Sequence, residues 1–229
     1  LNNNCINPVR SKSPEATATP LVRTSNGVKA IIFDLGNVLI DFDHIIAAKR
    51  ISRFCKKSPE EIFELFFDSE LTSLFEEGKI SAKDFFLKVK EVLNLKIEYD
   101  EFVPIWNDIF FLTEKNKAAC ALAGELKKYY KLIVLSNINI LHFEYIKKTF
   151  PILNTFRIIT SYELGFRKPQ NQIYQKVLEI LNTPAYECFY TDDRTELVES
   201  AKKLGIQAFV FKDIEQLKKD LLYTGININ

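Results

Sequence analysis

The chain has 229 residues and an apolar content of 47%, enough for one large domain or for a core carrying an insert. Its formal net charge of +1 excludes the concentrated basic excess of a dedicated nucleic-acid or polyanion binder. No apolar stretch approaches bilayer-spanning length and the N-terminus lacks a signal peptide's apolar core, so the composition predicts a soluble cytoplasmic protein with no membrane or nucleic-acid partner.

Residues 1–27 are rich in Asn, Ser, Thr and Pro without an apolar period and read as an extended tail. A first strand is predicted over 29–34, where an apolar run discharges into Asp34 and the turn Gly36-Asn37. The next strand-like run begins only at Lys131, and residues 44–112 between them are helical in character. Helices are predicted around 44–56 and 100–111. Ser58-Pro59-Glu60-Glu61 is a capping box with proline at the first helical position, ahead of Ile62, Phe63, Leu65, Phe66 and Phe67. Ser81-Ala82-Lys83-Asp84 opens another helix with Phe85, Phe86, Val89 and Leu93 at helical spacing.

After Thr113 the pattern alternates. Helices over 114–130, 142–149, 170–181, 195–204 and 214–222 interleave with strands over 131–136, 157–161, 188–192 and 207–211, leaving residues 223–229 as a short tail. Such alternation predicts a doubly wound parallel α/β sheet of Rossmann-like type, built from residues 28–43 and 113–222, with an inserted helical domain. Cys5, Cys55, Cys120 and Cys188 form no C-x-x-C pair and are expected as reduced thiols.

The chemistry-bearing residues gather at the carboxyl ends of the predicted strands, where open α/β sheets bind ligands. Strand one ends in Asp34. The run Leu132–Leu135 ends in Ser136-Asn137, a hydroxyl, an amide and backbone N–H donors suited to a phosphate. The third strand leads to Gly165-Phe166-Arg167-Lys168-Pro169, a cation on a stiffened loop, and the fourth ends in Asp192-Asp193. A single strand-terminal Asp is ordinarily a turn cap; four strand ends delivering carboxylate, hydroxyl with amide, ammonium and paired carboxylates are a construction.

That ordered set resembles the haloacid dehalogenase superfamily over roughly residues 28–222, with Asp34 at the nucleophile position, Ser136 and Lys168 at the second and third motifs, and Asp192-Asp193 at the acidic fourth. The strings Phe33-Asp34-Leu35-Gly36-Asn37-Val38, Leu135-Ser136-Asn137 and Arg167-Lys168-Pro169 look most like the branch with bacterial α-glucose-1-phosphate phosphatases. The resemblance implies a C1 helical cap over residues 44–112, a phosphatase acting on a small phosphorylated metabolite such as a sugar phosphate, and an aspartyl-phosphate intermediate. It also implies Mg²⁺ held by Asp34, Asp193, Asp192 directly or through water, and the Gly36 carbonyl, with the phosphate gripped by Lys168, Ser136 and the Asn137 N–H. The electrostatics agree, because a carboxylate brought to about 3.5 Å from a phosphate charge costs roughly 5 kcal/mol at an effective dielectric near 20, and a cation must offset that.

Most phosphatases of this superfamily carry a second Asp two residues after the nucleophile to protonate the leaving alcohol; here that position is Gly36. Asp41, Asp43 and His44 lie just downstream and read as turn or capping residues. The missing acid keeps two alternatives open, a haloacid dehalogenase-type hydrolase and a phosphate-sensing protein without turnover. The acidic cluster argues against the first, and the retained Asp34, Ser136 and Lys168 against the second. Elsewhere, the Phe-rich segments and Trp106 read as core of the insert, His142 as a helix-surface residue, and the pairs Lys127-Lys128 and Lys147-Lys148 as solvated faces; Glu77-Gly78 is a turn that could approach the site.

Overall fold

The computed structural model describes residues 27–66 and 69–228; apart from Gly27, the tail expected over 1–27 lies outside the described residues, as does Cys5. Strand β1 (Ala30–Asp34) is followed by β2 (Asp41–Phe42), then by helices α1 (His44–Ile51), α2 (Pro59–Phe66), α3 (Glu70–Glu76), α4 (Ala82–Leu93) and α5 (Tyr99–Asn107). Strand β3 (Phe110–Phe111) leads to α6 (Glu114–Leu126), β4 (Lys131–Ser136), α7 (Ile140–Thr149), β5 (Ile158–Thr160), α8 (Ser161–Leu164) and α9 (Asn171–Leu181). The chain closes with β6 (Cys188–Asp192), α10 (Thr195–Lys203), β7 (Gln207–Val210) and α11 (Ile214–Tyr223).

Five strands form one parallel sheet in the order β5-β4-β1-β6-β7, the doubly wound arrangement the alternation predicts. Every residue of β1 is buried, as a strand covered by helices on both faces must be. Its pleat sends Ile31 and Phe33 to one face, against α6 and α11, and Ala30 and Ile32 to the other, against α9 and α10. From β1 the strand order runs to β4 and β5 on one side and to β6 and β7 on the other. The register sets Asp34 beside Leu135 and Phe33 beside Thr191, so the carboxyl ends of β1, β4 and β6 open onto a common edge at this switch point.

Helices α1–α5 enclose a separate apolar cluster that includes Ile62, Phe66, Phe75, Phe85, Phe86, Phe102 and Trp106; of the Phe-rich segments, Phe66, Phe85 and Phe86 are core of the insert, Phe63 is exposed, and Phe67 lies outside the described residues. The expected caps form: Ser58 and Glu61 exchange hydrogen bonds at the start of α2, and Ser81 Oγ accepts from Asp84 N on α4. The stretch 100–111 departs from its predicted single helix. It leaves the helix after Asn107, and Phe110-Phe111 pairs antiparallel with Asp41-Phe42, because the entering and leaving strands of an insert meet at its neck and can satisfy each other's backbone groups. Asn116 braces that neck by donating to Val38 O and Asp41 Oδ1, while Lys115 pairs with Asp41. Asp43 caps α1, so Asp41 and Asp43 have structural roles.

His142 is buried rather than on a helix surface. Helix α7 starts two residues earlier than its pattern suggests, capped by Asn139, and its first turn lies under the insert. Asn139 Nδ2 lies 3.1 Å from His142 Nδ1 and its Oδ1 accepts from His142 N, so the imidazole is protonated at Nε2, which donates to Trp106 O. Burial, with the neighbouring His44 adding to it, pushes the His142 pKa down to about 3, and burial pushes His44 down to about 4. Both are below the ordinary 6.5, so the folded chain binds fewer protons than the unfolded chain; this stability is complete above pH 6.5 and is lost as pH falls toward the folded values. Each ring contributes about 1.4 kcal/mol per pH unit in that window. Urea midpoints should therefore fall between pH 7 and 5, and His142→Gln should make the decline shallower.

Candidate active site

At the switch point three carboxylates converge. Oxygens of Asp34 at the end of β1 and of Asp192 and Asp193 at the end of β6 all lie within 4.8 Å of one another. Lys168, from the loop ahead of α9, reaches between two of them: Nζ is 2.5 Å from Asp34 Oδ1 and 2.6 Å from Asp192 Oδ2, and it also donates to Leu135 O at 3.3 Å. Its side chain is only 2% exposed, so these bonds form away from bulk screening.

Burial alone would depress the Lys168 ammonium, but the Asp192 and Asp34 charges reverse that and hold its pKa above the usual range. Burial first, and Asp192 second, push Asp34 up to about 7 against the lowering pull of Lys168. Asp193 is also raised, chiefly by burial, although Asn37 Nδ2 donates to it at 3.0 Å. Three clustered carboxylates against one ammonium leave two negative charges uncompensated when all are ionised. Hard oxygens at this separation, short of two positive charges, fit a divalent cation such as Mg²⁺.

The supports of this cluster arise from residues far apart in the chain. Asn137 follows β4, and its side chain makes a paired contact with the Lys168 backbone: Nδ2 donates to Lys168 O and Oδ1 accepts from Lys168 N, both at 2.8 Å. The Asn137 amide thus fixes where the lysine starts, while its own N–H belongs to the strand end beside Ser136. Tyr190 donates its hydroxyl to Asp192 Oδ2, and Asp192 Oδ1 accepts from Arg194 N at 2.9 Å. Burial pushes the Tyr190 phenol well above its usual pKa, which keeps it a neutral donor. The sequence pattern assigns no site role to Tyr190 or Asn37; their signal is only a polar atom on a strand or turn otherwise devoted to the core.

All seven predicted site residues, Asp34, Gly36, Ser136, Asn137, Lys168, Asp192 and Asp193, line one cleft of about 230 Å³. Of the three polar residues just downstream of the nucleophile position, His44 lines it and Asp41 and Asp43 do not. The cleft is roofed by the insert: Phe42 and Phe110 come from the neck, and Phe63, Thr72 and Glu76 from α2 and α3. Phe42 also accounts for the glycine at 36. A Cβ there would sit 2.6 Å from Phe42 Cε1, so the ring edge fills the space a side chain at that position would need. Glu77 does not line the cleft; it accepts from Gln170 Nε2 at 2.6 Å and pairs with Lys79.

A family profile described as haloacid dehalogenase-like hydrolase matches residues 28–205, and the chain belongs to that family. Among curated proteins it is similar to the D-ribitol-5-phosphate phosphatase of Bacteroides thetaiotaomicron, with 24% identity over 190 residues, 80% of this chain and 91% of that one. It is also 26% identical over 180 residues to the sesquiterpene phosphatase astK of Aspergillus oryzae, covering 78% of this chain and 87% of that protein. Among solved structures, a wild-type enzyme of the family from Bacteroides thetaiotaomicron, in complex with magnesium and inorganic phosphate, superimposes with a TM-score of 0.71 at 26% identity; the match covers 82% of this chain and 96% of that one.

The paired Asn137 contact makes a direct prediction. Asn137→Ala removes both hydrogen bonds to the Lys168 backbone, and urea denaturation should show a loss of about 1–3 kcal/mol, the usual range when partly buried polar partners are orphaned. A midpoint within error of the parent would mean that the rest of the loop holds Lys168 unaided.

Proposed function

We propose that this chain is a Mg²⁺-dependent phosphatase that releases phosphate from a small phosphorylated metabolite, a sugar or polyol phosphate. The observation that carries this reading is the Asp34–Lys168–Asp192 cluster at the strand ends, with Asp193 beside it. The phosphatase relatives and the magnesium and phosphate held by the structural neighbour support it. The excess negative charge of the cluster disfavours dehalogenation, a reaction with no use for a cation site. The unpaired thiols of Cys55, Cys120 and Cys188 support the cytoplasm as its compartment. Among the described residues, no helix is long and apolar enough to cross a membrane.

In this mechanism Asp34 attacks the phosphorus in line, and the phosphoryl group passes to its carboxylate as the alcohol departs. Lys168 neutralises charge on the transferring group, while Ser136 Oγ and the Asn137 N–H hold its oxygens. Asp34, Asp192, Asp193 and the Gly36 carbonyl are the residues we assign to Mg²⁺, which when bound would offset the repulsion between nucleophile and phosphate. Water then hydrolyses the aspartyl-phosphate. Helices α1–α5 act as the cap that shields the cleft from bulk water.

Two measurements test the assignment. Asp34→Asn should abolish phosphate release while its thermal transition stays cooperative; turnover near that of the parent would remove Asp34 as nucleophile. Titrating Mg²⁺ into chelator-treated protein should raise the melting temperature with saturation, as ligand binding to the folded state requires. Asp193→Ala should need a higher Mg²⁺ concentration for the same shift.

The leaving group supplies a third. With glycine at 36, with Asp41 and Asp43 in structural roles and with His44 held neutral, rates should fall steeply as leaving-group pKa rises across phenyl and alkyl phosphates. An acid at 36 needs room, so Gly36→Asp should flatten that slope only in combination with Phe42→Ala. A flat dependence in the parent protein would show that another group protonates the alcohol.

A further inference from the structure

The cleft's outer wall has two chemical characters. Phe42, Phe63 and Phe110 contribute aromatic rings to the lining. Glu76 at the end of α3 and Arg167 from the loop that delivers Lys168 contribute a charged pair. Glu76 Oε2 lies 3.1 Å from Arg167 Nη2, and Arg167 Nη1 donates to Ser73 Oγ at 2.5 Å. The two side chains are 18% and 19% exposed, and both line the cleft beside the carboxylate cluster.

A carboxylate offers about four acceptor sites and a guanidinium five N–H donors in a fixed fork. Where such a pair faces a cleft, an organic group that enters displaces water from both charges. A hydrocarbon gives nothing back, so the charges are desolvated without recompense. Hydroxyl groups donate to the carboxylate and accept from the guanidinium, and vicinal hydroxyls can do both at once. The aromatic rings of the lining accommodate the C–H edges of the same carbon chain.

We propose that Glu76 and Arg167 are specificity-determining residues that bind vicinal hydroxyls of the leaving group, so that the substrate is a polyhydroxylated phosphate monoester and not a hydrocarbon one. The inference rests on the phosphatase reading and deepens it. The pair also joins the insert to the core, next to two further contacts: Gln170 donates to Glu77, and Ser161 Oγ donates to Glu76 O at 2.6 Å. A variant could therefore act merely by loosening that junction, and the test has to separate closure from recognition.

The experiment compares kcat/KM for ribitol 5-phosphate, glucose 1-phosphate, farnesyl phosphate and 4-nitrophenyl phosphate in the full chain with Mg²⁺. Its readout is the ratio of each ester to 4-nitrophenyl phosphate. The parent should favour at least one polyhydroxylated ester over farnesyl phosphate, and which one distinguishes an acyclic polyol from a pyranose. Glu76→Gln should lower the polyol ratio about tenfold, through KM, as expected when a hydrogen bond to a charged group is weakened. Arg167→Met provides the same test if Glu76→Gln does not fold. Glu77→Ala loosens the same junction from the insert side, at a residue outside the cleft lining, and leaves Gln170 Oε1 accepting from Arg167 N; it should leave the ratio within about twofold.

A ratio unchanged in both cleft variants, or lowered equally by Glu77→Ala, would overturn the inference, as would a parent that prefers farnesyl phosphate. Each of those results leaves phosphate release itself intact. Failure of the phosphatase reading has a different signature, the absence of release from every ester including 4-nitrophenyl phosphate.

Discussion

The arrangement depends on one buried ammonium. Lys168 stands between Asp34 and Asp192, within 2.6 Å of both, in a place almost closed to solvent. The ammonium offsets the repulsion between these two neighbouring carboxyl groups, and an unpaired ammonium there would itself be costly to bury. The surroundings are arranged around that constraint. Asn137 holds the lysine backbone at both its N–H and its carbonyl, Leu135 O accepts from Nζ, and Tyr190 supplies a neutral donor to Asp192. Strand β1 lies between β4 and β6 in the sheet, and so Asp34, Ser136 and Asp192 finish on one edge.

The loop that carries Lys168 is also the surface on which the insert rests. Arg167, the preceding residue, holds Ser73 and Glu76, and Gln170, two residues beyond, holds Glu77. Gly78 lies so close to α8, the helix that precedes this loop, that a Cβ there would be 2.3 Å from Tyr162 O, and its φ of +65° is one that glycine adopts without penalty. A displacement of the insert would therefore pull on the segment that sets the lysine, which links the roof of the cleft mechanically to the charges on its floor.

The neck imposes a second constraint on the chemistry. Pairing of Asp41-Phe42 with Phe110-Phe111 closes the insert and brings the Phe42 ring over Gly36. Phe42 lies 4.9 Å from the His44 ring and 6.0 Å from Phe110, and an aromatic series continues through His142 to Trp106 in the core of the insert. Position 36 is thus closed to a side chain by packing, and the rings of Phe42 and Phe110 are part of the cleft lining.

The sequence by itself determined the sheet, the caps and the identity of the central charges. Asp34, Ser136 and Asp192 each end a buried apolar run, and that pattern can be read without coordinates because a strand covered on both faces leaves polar residues only at its ends. The same holds for Ser58 with Glu61 and for Ser81 with Asp84, whose hydrogen bonds span three residues. The tertiary structure decided everything that joins distant segments. Asn37 meets Asp193 across 156 positions and Asn137 meets Lys168 across 31, and no local pattern tells which distant group either amide will bond. His142 is on a helix whose pattern suggests exposure, and the insert covers it; Phe110-Phe111 look helical until the strand that enters the insert offers them backbone partners. Local periodicity records which face of a segment is apolar, whereas the neighbour that covers that face is chosen by the path of the whole chain.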